Sequence, residues 1–371
     1  MSTTIADLAA QDCPWLMSPG EHRGVVVSSR IRLARTWAPY SFHRKLSRKR
    51  QQELTDRLLG HVSDIGHGTA WQIQALSEVE RLALVERQVI SRELAAAKRP
   101  GGVWLEAQAV PMIAAMVNEE DHLRLQLIGA GLCLPMLLER AIAFDRTLEQ
   151  RVAWAADAQL GYLTACHTNL GTGLRASVML HLPALSETGE LKAVLRALSK
   201  LHLAVRGGHG EGTEPTGHTY QVSNARSLGH TEAAYVAMIN EAVERVIAAE
   251  HLARAGLLEK ARPRLEDKVF RAWGLLTQAR SLSTDELSEN LSWVRLGTAL
   301  DVLSDSDWAI PTHHRDRRWR VLDRLAVQCQ PAHIQLLNQP SPLKSGGLEL
   351  DSADRDRLRA AHVRLLLTSE G

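Results

Sequence analysis

Several features of secreted and membrane proteins are missing from this sequence of 371 residues. Its four cysteines are far apart and form no Cys-x-x-Cys pair, so we expect neither a disulfide framework nor a structural zinc site. The first residues lack the charged and apolar regions of a signal peptide. The longest apolar run, residues 127–138, contains glycine and proline and is too short to cross a bilayer. These absences predict a cytoplasmic protein that does not enter a membrane.

Acidic residues are absent from one stretch, although the whole chain is nearly neutral. Between His22 and Gln52 there are nine arginine or lysine residues and no acid, whereas the formal net charge is +2. The overall charge therefore gives no indication of direct binding to nucleic acid. The basic stretch fits either a phosphate-binding surface or a solvated segment, and composition does not decide between them.

The motifs of common nucleotide-binding and metal enzymes are missing as well. There is no GxxxxGK[ST] phosphate loop, no complete HRDxxxxN or DFG element and no HExxH sequence, and the 16 histidines show no metal-ligand spacing. We therefore expect no metal bound by the protein alone. The glycine-rich residues 207–212 do not fit the dinucleotide pattern GxGxxG.

The pattern of apolar residues predicts two domains, which the chain length also suggests. Strands predicted at 112–117, 123–128, 160–166, 174–182 and 220–223 mix with helices, so residues 1–255 are predicted to form an α+β domain. One of these helices begins with a capping box at Ser77 and is predicted to run to about Ile90. Helical periodicity around residues 259–277, 284–304, 319–337 and 351–367 predicts a small all-α domain at 256–371.

Arginine alternates with apolar residues in several predicted strands. In an extended strand Arg30 and Arg32 share one face, and the apolar residues beside them take the other. Arg124 and Arg175 repeat this pattern, and Arg206 ends a further strand before the glycine-rich loop. Arginines collected on one sheet face require a strong anion, and a nucleoside triphosphate with about four negative charges suits their guanidinium groups. The alternative is that each arginine faces water.

Three acids, Glu119, Glu120 and Asp121, lie in a turn between two predicted strands. Such a cluster fits an ordinary solvated turn. It also fits carboxylates beside bound phosphates, where repulsion between like charges would require a cationic partner or a Mg²⁺ ion carried by the nucleotide.

Four segments together resemble the guanidino (phosphagen) kinase family. They are SSRIRLAR at 28–35, VNEEDHLRLQ at 117–126, TNLGTGLRASV at 168–178 and VRGGHGEGTE at 205–214. They occur in the family's order and spacing, and the resemblance covers about residues 15–250. It implies an antiparallel sheet flanked by helices and the transfer of a phosphoryl group from ATP, with Mg²⁺, to a guanidinium nitrogen.

The resemblance also implies roles for individual residues. The phosphate-binding arginines are Arg30, Arg32, Arg124, Arg175 and Arg206. The ATP-binding segments around them add Ser28, Ser29, Ile31, Ala176, Ser177, Val178, Met179, Gly207, Gly208, His209 and Gly210. Glu120 would bind the acceptor guanidinium and act as general base, Glu211 would be the second guanidinium-binding carboxylate, and Cys166 matches the family's active-site cysteine.

Two positions depart from the family pattern. His167 follows Cys166 where proline is usual, and this change is expected to alter the loop or the thiol pKa. Gln88 stands where a histidine that packs against the nucleotide is expected, so the affinity for adenine is expected to differ. Neither departure removes a charge that the chemistry needs.

Within the family, the order of the regions resembles the bacterial protein arginine kinases. The sequence has no helical domain before Ser28, which small-molecule phosphagen kinases carry, and has a helical region after the catalytic one. The C-terminal region adds Gln330-Pro331-Ala332-His333-Ile334-Gln335 and an RDxxRA motif at 355–360. The second motif implies an allosteric phosphoarginine pocket formed by Arg355, Asp356 and Arg359, although the residues alone favour a charged, solvated face of a terminal helix.

The resemblance implies a kinase that phosphorylates arginine side chains of protein substrates. It further implies a Clp-type protease or unfoldase and an activator protein as partners, and a homodimer or larger homo-oligomer. Two other functions stay open from the sequence, a kinase of free guanidino compounds and a phosphoarginine reader with a decayed active site.

Overall fold

The structure, a computed structural model, describes residues 4–18, 20–207, 217–308, 315–338 and 350–368. Its strands are β1 (Val26–Arg35), β2 (Thr69–Gln72), β3 (Gly102–Glu106), β4 (Met112–Val117), β5 (Leu123–Ala130), β6 (Ala156–Asp157), β7 (Gly161–Tyr162), β8 (Leu174–His181), β9 (Leu203–Gly207) and β10 (Thr219–Asn224). Within the described residues, eight of them form one sheet in the order β2-β3-β4-β5-β1-β8-β10-β9. All neighbouring pairs are antiparallel, which confirms the predicted sheet.

The helices flank this sheet and continue after it. They are α1 (Ile5–Ala10), α2 (Pro14–Met17), α3 (Arg48–Ser63), α4 (Glu78–Glu86), α5 (Arg92–Ala95), α6 (Leu134–Glu149), α7 (Pro183–Glu187), α8 (Leu191–Lys200), α9 (Glu232–Lys260), α10 (Arg262–Gln278), α11 (Thr284–Ala299), α12 (Arg315–Gln328), α13 (Pro331–Asn338) and α14 (Ser352–Thr368). In the part of the chain that is described, no helix has both the length and the apolar character needed to span a membrane.

The alternation in β1 separates a polar sheet face from an apolar one. Ile31 and Leu33 are fully buried in the core under α6 and α9. Arg32, on the opposite face, lies across from Gln126 of β5 and Arg175 of β8. The period of two residues in an extended chain thus places the arginines where the sequence predicted them.

The C-terminal helices share a hydrophobic core with the sheet domain. One cluster of buried residues contains Val26 and Leu180 from the sheet together with Leu296 of α11 and Val363 of α14. Helix α9 runs without interruption from Glu232 to Lys260, and α10 begins at Arg262. The described part of the C-terminal region is helical, which confirms the predicted α+β fold followed by an all-α part.

The start of α4 was predicted correctly, because its signal is local. The Ser77 hydroxyl accepts from the Glu80 N–H at 3.3 Å, and the Glu80 carboxylate accepts from the Ser77 N–H at 2.8 Å. The helix ends at Glu86 instead of near Ile90. Gln88 has a φ of 60°, in the left-handed region, and therefore cannot continue a right-handed helix.

Two predicted elements are wrong in part. The predicted strand 160–166 is reduced to Gly161–Tyr162. The Asp157 carboxylate accepts from the N–H groups of Gln159 and Leu160, and this turn delays the start of the strand. The predicted helix 319–337 is divided into α12 and α13. Pro331 has no N–H to donate and stands at the first position of the new helix.

Candidate active site

Arginines from four strands line the polar face of the sheet. By register, Arg30 and Arg32 of β1 lie beside Arg124 of β5 and Arg175 of β8, and Arg206 of β9 lies on the same face beyond β8 and β10. Two of these arginines bond to side chains of β10: Arg30 Nη2 donates to Gln221 Oε1 at 3.3 Å, and Arg175 Nη2 donates to the Ser223 hydroxyl at 3.4 Å. We call this surface the arginine face. Ser28, Ser177 and Met179 lie on it as well.

Burial and mutual repulsion disfavour the positive charges of Arg30 and Arg32 on the arginine face. Burial, and then the charges of Arg124 and Arg175, lower the pKa of Arg30 to about 10. Burial and the three neighbouring arginines also lower the pKa of Arg32 well below its usual value. Arg32 Nε is buried without a hydrogen-bond partner among the described residues. A bound polyphosphate would supply both the missing acceptor and the missing negative charge, so this face fits a nucleoside triphosphate.

Glu119 is the carboxylate that reaches into the arginine face. Its Oε1 and Oε2 atoms lie 2.8 and 2.9 Å from Arg124 Nη1, and Oε1 also accepts from the Ser91 hydroxyl at 2.6 Å. Burial alone would raise the pKa of Glu119, but Arg124 and these hydrogen bonds outweigh it and lower the pKa to about 2. Glu119 is therefore ionised and positions Arg124, a role that the sequence did not assign to it.

Glu120 takes no part in that ion pair and is exposed at the edge of the arginine face. Its Oε2 accepts from Asn169 Nδ2 at 3.3 Å, and its N–H donates to Glu119 Oε2 at 3.0 Å. An exposed carboxylate held beside a phosphate-binding surface is accessible to a cationic acceptor such as a guanidinium group.

Asp121 joins the acidic turn to the loop that carries Cys166. Its Oδ1 accepts from the Ala165 N–H at 2.6 Å, and its Oδ2 accepts from Asn169 Nδ2 at 3.1 Å. Burial raises the pKa of Asp121 to about 6, while the two donors oppose the rise. The structure thus brings Glu120 and the Cys166 loop together through Asp121 and Asn169.

Cys166 lies in a partly exposed loop next to Glu120. Its Sγ is 3.0 Å from the Thr168 hydroxyl, and its carbonyl accepts from the Thr164 hydroxyl at 2.8 Å. The Ser227 hydroxyl, which follows β10, donates to the carbonyls of Thr168 and Leu170 at 2.7 and 2.9 Å. His167 is exposed and begins the short 3₁₀ turn His167–Asn169.

Some of the predicted residues lie apart from the arginine face. Ile31, Ala176 and Val178 are fully buried in the core on the other side of the sheet. The Ser29 hydroxyl donates to the Gly131 carbonyl at 2.7 Å and also faces away. Gly207 ends β9, whereas Gly208, His209, Gly210 and Glu211 lie outside the described residues.

In the C-terminal region, Arg355, Asp356 and Arg359 lie on α14 as the spacing predicted. Arg359 is 1% exposed, and it donates to the Leu282 carbonyl at 2.7 Å and the Cys329 carbonyl at 2.8 Å. It also forms an ion pair with Asp356. Arg355 and Asp356 are partly exposed. The phosphoarginine pocket stays a prediction, and Arg359 already has protein partners.

Sequence reasoning missed the supporting residues Glu119, Asp121, Ser91 and Ser227. Glu119 and Asp121 had been seen only as members of an acidic turn. Ser91 and Ser227 carried no sequence signal for a site, because their partners are 28 and 59 residues away.

A sheet face of arginines with an acidic turn at its edge fits a guanidino phosphotransferase, and the chain belongs to that family. Residues 50–253 match the family model described as "ATP:guanido phosphotransferase, C-terminal catalytic domain". Residues 262–370 match a second one, described as "Protein-arginine kinase McsB C-terminal domain".

Relatives over nearly the full length carry the name protein-arginine kinase. The one from Symbiobacterium thermophilum is 39% identical and covers 96% of this chain and 96% of its own. The one from Halothermothrix orenii is 39% identical over 95% of this chain and 96% of its own.

Solved structures share the fold. A lombricine kinase has a TM-score of 0.56 at 22% identity and covers 69% of this chain and 72% of its own. A duplicated taurocyamine kinase from Schistosoma mansoni, bound to components of a transition-state analogue, has a TM-score of 0.55 at 26% identity and covers 72% of this chain and 42% of its own. The first of these similarities supports the fold alone.

Proposed function

We propose that this protein transfers the terminal phosphoryl group of ATP to arginine side chains of other proteins. The observation that carries the proposal is the position of Glu120, an exposed carboxylate beside a sheet face with four neighbouring arginines from β1, β5 and β8. The name shared by full-length relatives supports protein-bound arginine as the acceptor.

In the proposed reaction, the arginine face binds the phosphates and the acidic turn binds the acceptor. Arg30, Arg32, Arg124, Arg175 and Arg206 hold the triphosphate, with Ser28, Ser177 and Met179 on the same face. Ser29, Ile31, Ala176 and Val178 bring no side chain to it. We also assign Gly207, Gly208, His209 and Gly210 to the ATP site. Mg²⁺ arrives with the nucleotide and neutralises phosphate charge.

A guanidinium group is protonated at neutral pH, with a pKa above about 12, and is a poor nucleophile until a proton is removed. Glu120 and Glu211 orient the group, and Glu120 accepts one proton as the guanidinium nitrogen attacks the γ-phosphorus. The bond from that phosphorus to the β–γ bridging oxygen breaks, and ADP leaves. Alignment and charge neutralisation supply most of the rate enhancement, as in phosphoryl transfer generally. Cys166 lies beside the acceptor and completes its binding site.

The decisive experiment is incubation of the purified protein with ATP, Mg²⁺ and a generic unfolded protein, followed by mass spectrometry that preserves acid-labile N–P bonds. Phosphoarginine in the unfolded protein supports the proposal. Transfer to free arginine alone would instead identify a small-molecule kinase, and phosphoarginine binding without transfer would identify a reader.

Glu120→Gln tests the assignment of the base. The substitution keeps the shape but removes the proton acceptor, so kcat is expected to fall by about 100-fold or more while ATP binding is kept. A purified variant with nearly normal kcat would contradict the role of Glu120.

The wider biological role extends this proposal. Residues 1–255 act as the catalytic domain, and residues 256–371 as a regulatory domain that binds phosphoarginine through Arg355, Asp356 and Arg359. The protein works in the cytoplasm as a homodimer or larger assembly with an activator protein, and it marks substrates for a Clp-type protease. Four free cysteines suit a reducing compartment.

A further inference from the structure

Glu86, the last residue of α4, binds the beginning of α13 in the C-terminal region. Its Oε1 accepts from the Ala332 N–H at 2.8 Å, and its Oε2 accepts from the N–H and Nδ1 of His333 at 3.0 and 2.7 Å. His333 is fully buried. The first N–H groups of a helix have no partner within it and favour a negative charge, so Glu86 fits this position well. We call this contact the Glu86 clamp.

The chain leads from the Glu86 clamp directly to the arginine face. Two residues on, the Gln88 carbonyl accepts from Gln126 Nε2 at 2.6 Å. Gln126 lies opposite Arg32 in the sheet. Gln88 has a left-handed φ of 60° and closes α4 in a common helix-end turn, in which the Gln88 and Val89 N–H groups donate to the Val85 and Leu84 carbonyls at 2.8 Å each. The clamp before this turn and Gln126 beside it hold the end of α4 between α13 and the sheet.

A second contact from the same segment reaches the same face. Ser91 caps the first turn of α5 by accepting from the Leu94 N–H at 3.1 Å, and its hydroxyl donates to Glu119 Oε1 at 2.6 Å. Glu119 in turn holds Arg124. Residues 86–91 therefore connect α13 to both Arg32 and Arg124 within a single short segment.

We propose that the Glu86 clamp makes nucleotide affinity depend on how α13 is docked, so that Glu86 and His333 are positioning residues for the arginine face. This inference rests on the proposed nucleotide site. When α13 is seated on Glu86, residues 86–91 hold Gln126 and Glu119 in place beside the phosphate-binding arginines. When the clamp opens, the end of α4 is no longer held against α13, and the contacts of Gln88 with Gln126 and of Ser91 with Glu119 weaken together.

The test uses the full chain and an ATP analogue that cannot transfer its phosphoryl group, with Mg²⁺, in titration calorimetry. Glu86→Gln replaces one acceptor oxygen by an NH₂ group that faces N–H donors. Its Kd for the analogue is expected to rise at least about fivefold, the lower end of ordinary coupling between two sites. In turnover assays the KM for ATP should rise, whereas the KM for the arginine substrate should not.

Lys268→Met is the matched control. Lys268 of α10 forms an ion pair with Glu187 of α7 at 2.6 Å, and this pair also links the helical region to the sheet domain. Lys268 contacts Glu187 and the Trp293 ring, and none of these residues lies in segment 86–91, so its loss should leave the Kd for the analogue unchanged. A rise of the same size in Lys268→Met would show a general loosening and overturn the proposal.

If Glu86→Gln fails to fold, a second pair of variants tests the link between the clamp and nucleotide affinity. His333→Asn keeps a donor near the position of Nδ1, whereas His333→Leu keeps volume without a donor. We expect His333→Asn to bind the analogue more tightly than His333→Leu. Equal Kd values in wild type and every folded clamp variant would refute the proposal. Absence of phosphoarginine in the transfer assay would refute the proposed function alone, since analogue binding is measured without transfer.

Discussion

Replacement of Glu119 by glutamine is expected to destabilise the unliganded protein strongly. Glu119 is 1% exposed and provides two carboxylate oxygens to Arg124, which lies among the other arginines of the face. Glutamine keeps the size of the side chain but deprives the partly buried Arg124 of the carboxylate that contacts it. Breaking a buried ion pair in this way is costly, because the remaining charge is neither solvated nor paired.

The size of the effect follows from the pKa of Glu119. A fall from 4.5 to about 2 corresponds to about 3 kcal/mol, at about 1.4 kcal/mol for each tenfold change in proton affinity. Because the folded-state pKa lies below the unfolded-state value, the unfolded chain binds more protons between these two pH values. The stabilisation is complete above about pH 4.5 and is lost as the pH falls toward 2.

Denaturant unfolding of wild type, Glu119→Gln and Glu120→Gln measures this contribution. Glu120 is the control, because it is next in sequence and exposed. At neutral pH only Glu119→Gln should lose about 3 kcal/mol of unfolding free energy, and its difference from wild type should shrink in acid. Inorganic triphosphate should stabilise Glu119→Gln more than wild type, since it gives Arg124 a new partner. Equal stabilities of the two variants at neutral pH would refute the reasoning.

Three further predictions concern the loop and the C-terminal helix. Cys166 should be alkylated faster than the other three cysteines, and ATP with arginine should protect it. Competitive labelling with peptide mapping measures these rates, and equal rates for all four cysteines would contradict the prediction. The activity of wild type should fall as the pH is lowered through about 6, because Asp121 then gains a proton. Asp121→Asn should lower kcat and abolish this fall. An unchanged pH profile in the variant would exclude a role of Asp121 in positioning the loop. Asp356→Ala should weaken the binding of free phosphoarginine in calorimetry while basal activity is largely kept, and equal affinities would leave the RDxxRA motif without a ligand.

The arginine face could be predicted from the sequence because strand geometry is local. Alternation with a period of two residues assigns Arg30 and Arg32 to one face in any extended strand. Arg35, in the same motif, has the opposite parity and lies on the other side, where Arg35 Nη2 and Asp145 Oδ2 are 2.7 Å apart in a buried ion pair. The sequence shows the parity of Arg35 but not its partner, which is 110 residues away.

The separate roles of the acids in the turn could not be predicted. Glu119 and Glu120 are neighbours of the same type, and only the approach of Ser91 and Arg124 from other elements makes one of them structural. The predicted strand 160–166 failed for a related reason. The Ala165 N–H, which a strand would have paired with a backbone carbonyl, is bound instead by the Asp121 carboxylate. Long-range contacts to single side chains decide both cases.

The buried position of Arg359 sets a condition on any phosphoarginine pocket on α14. Its Nε and Nη1 hydrogen bonds to the Cys329 and Leu282 carbonyls tie α14 to the end of α12 and to the segment before α11. A phosphate that binds Arg359 has to compete with these acceptors, so binding and the packing of α14 are thermodynamically linked. A ligand can shift such a packing equilibrium only by the difference in its affinity for the two arrangements. Because α12 leads into α13 and the Glu86 clamp, a change at Arg359 has a continuous route of contacts to the arginine face. Phosphoarginine should therefore alter nucleotide affinity in wild type, and this effect should be missing when Glu86 is replaced by glutamine.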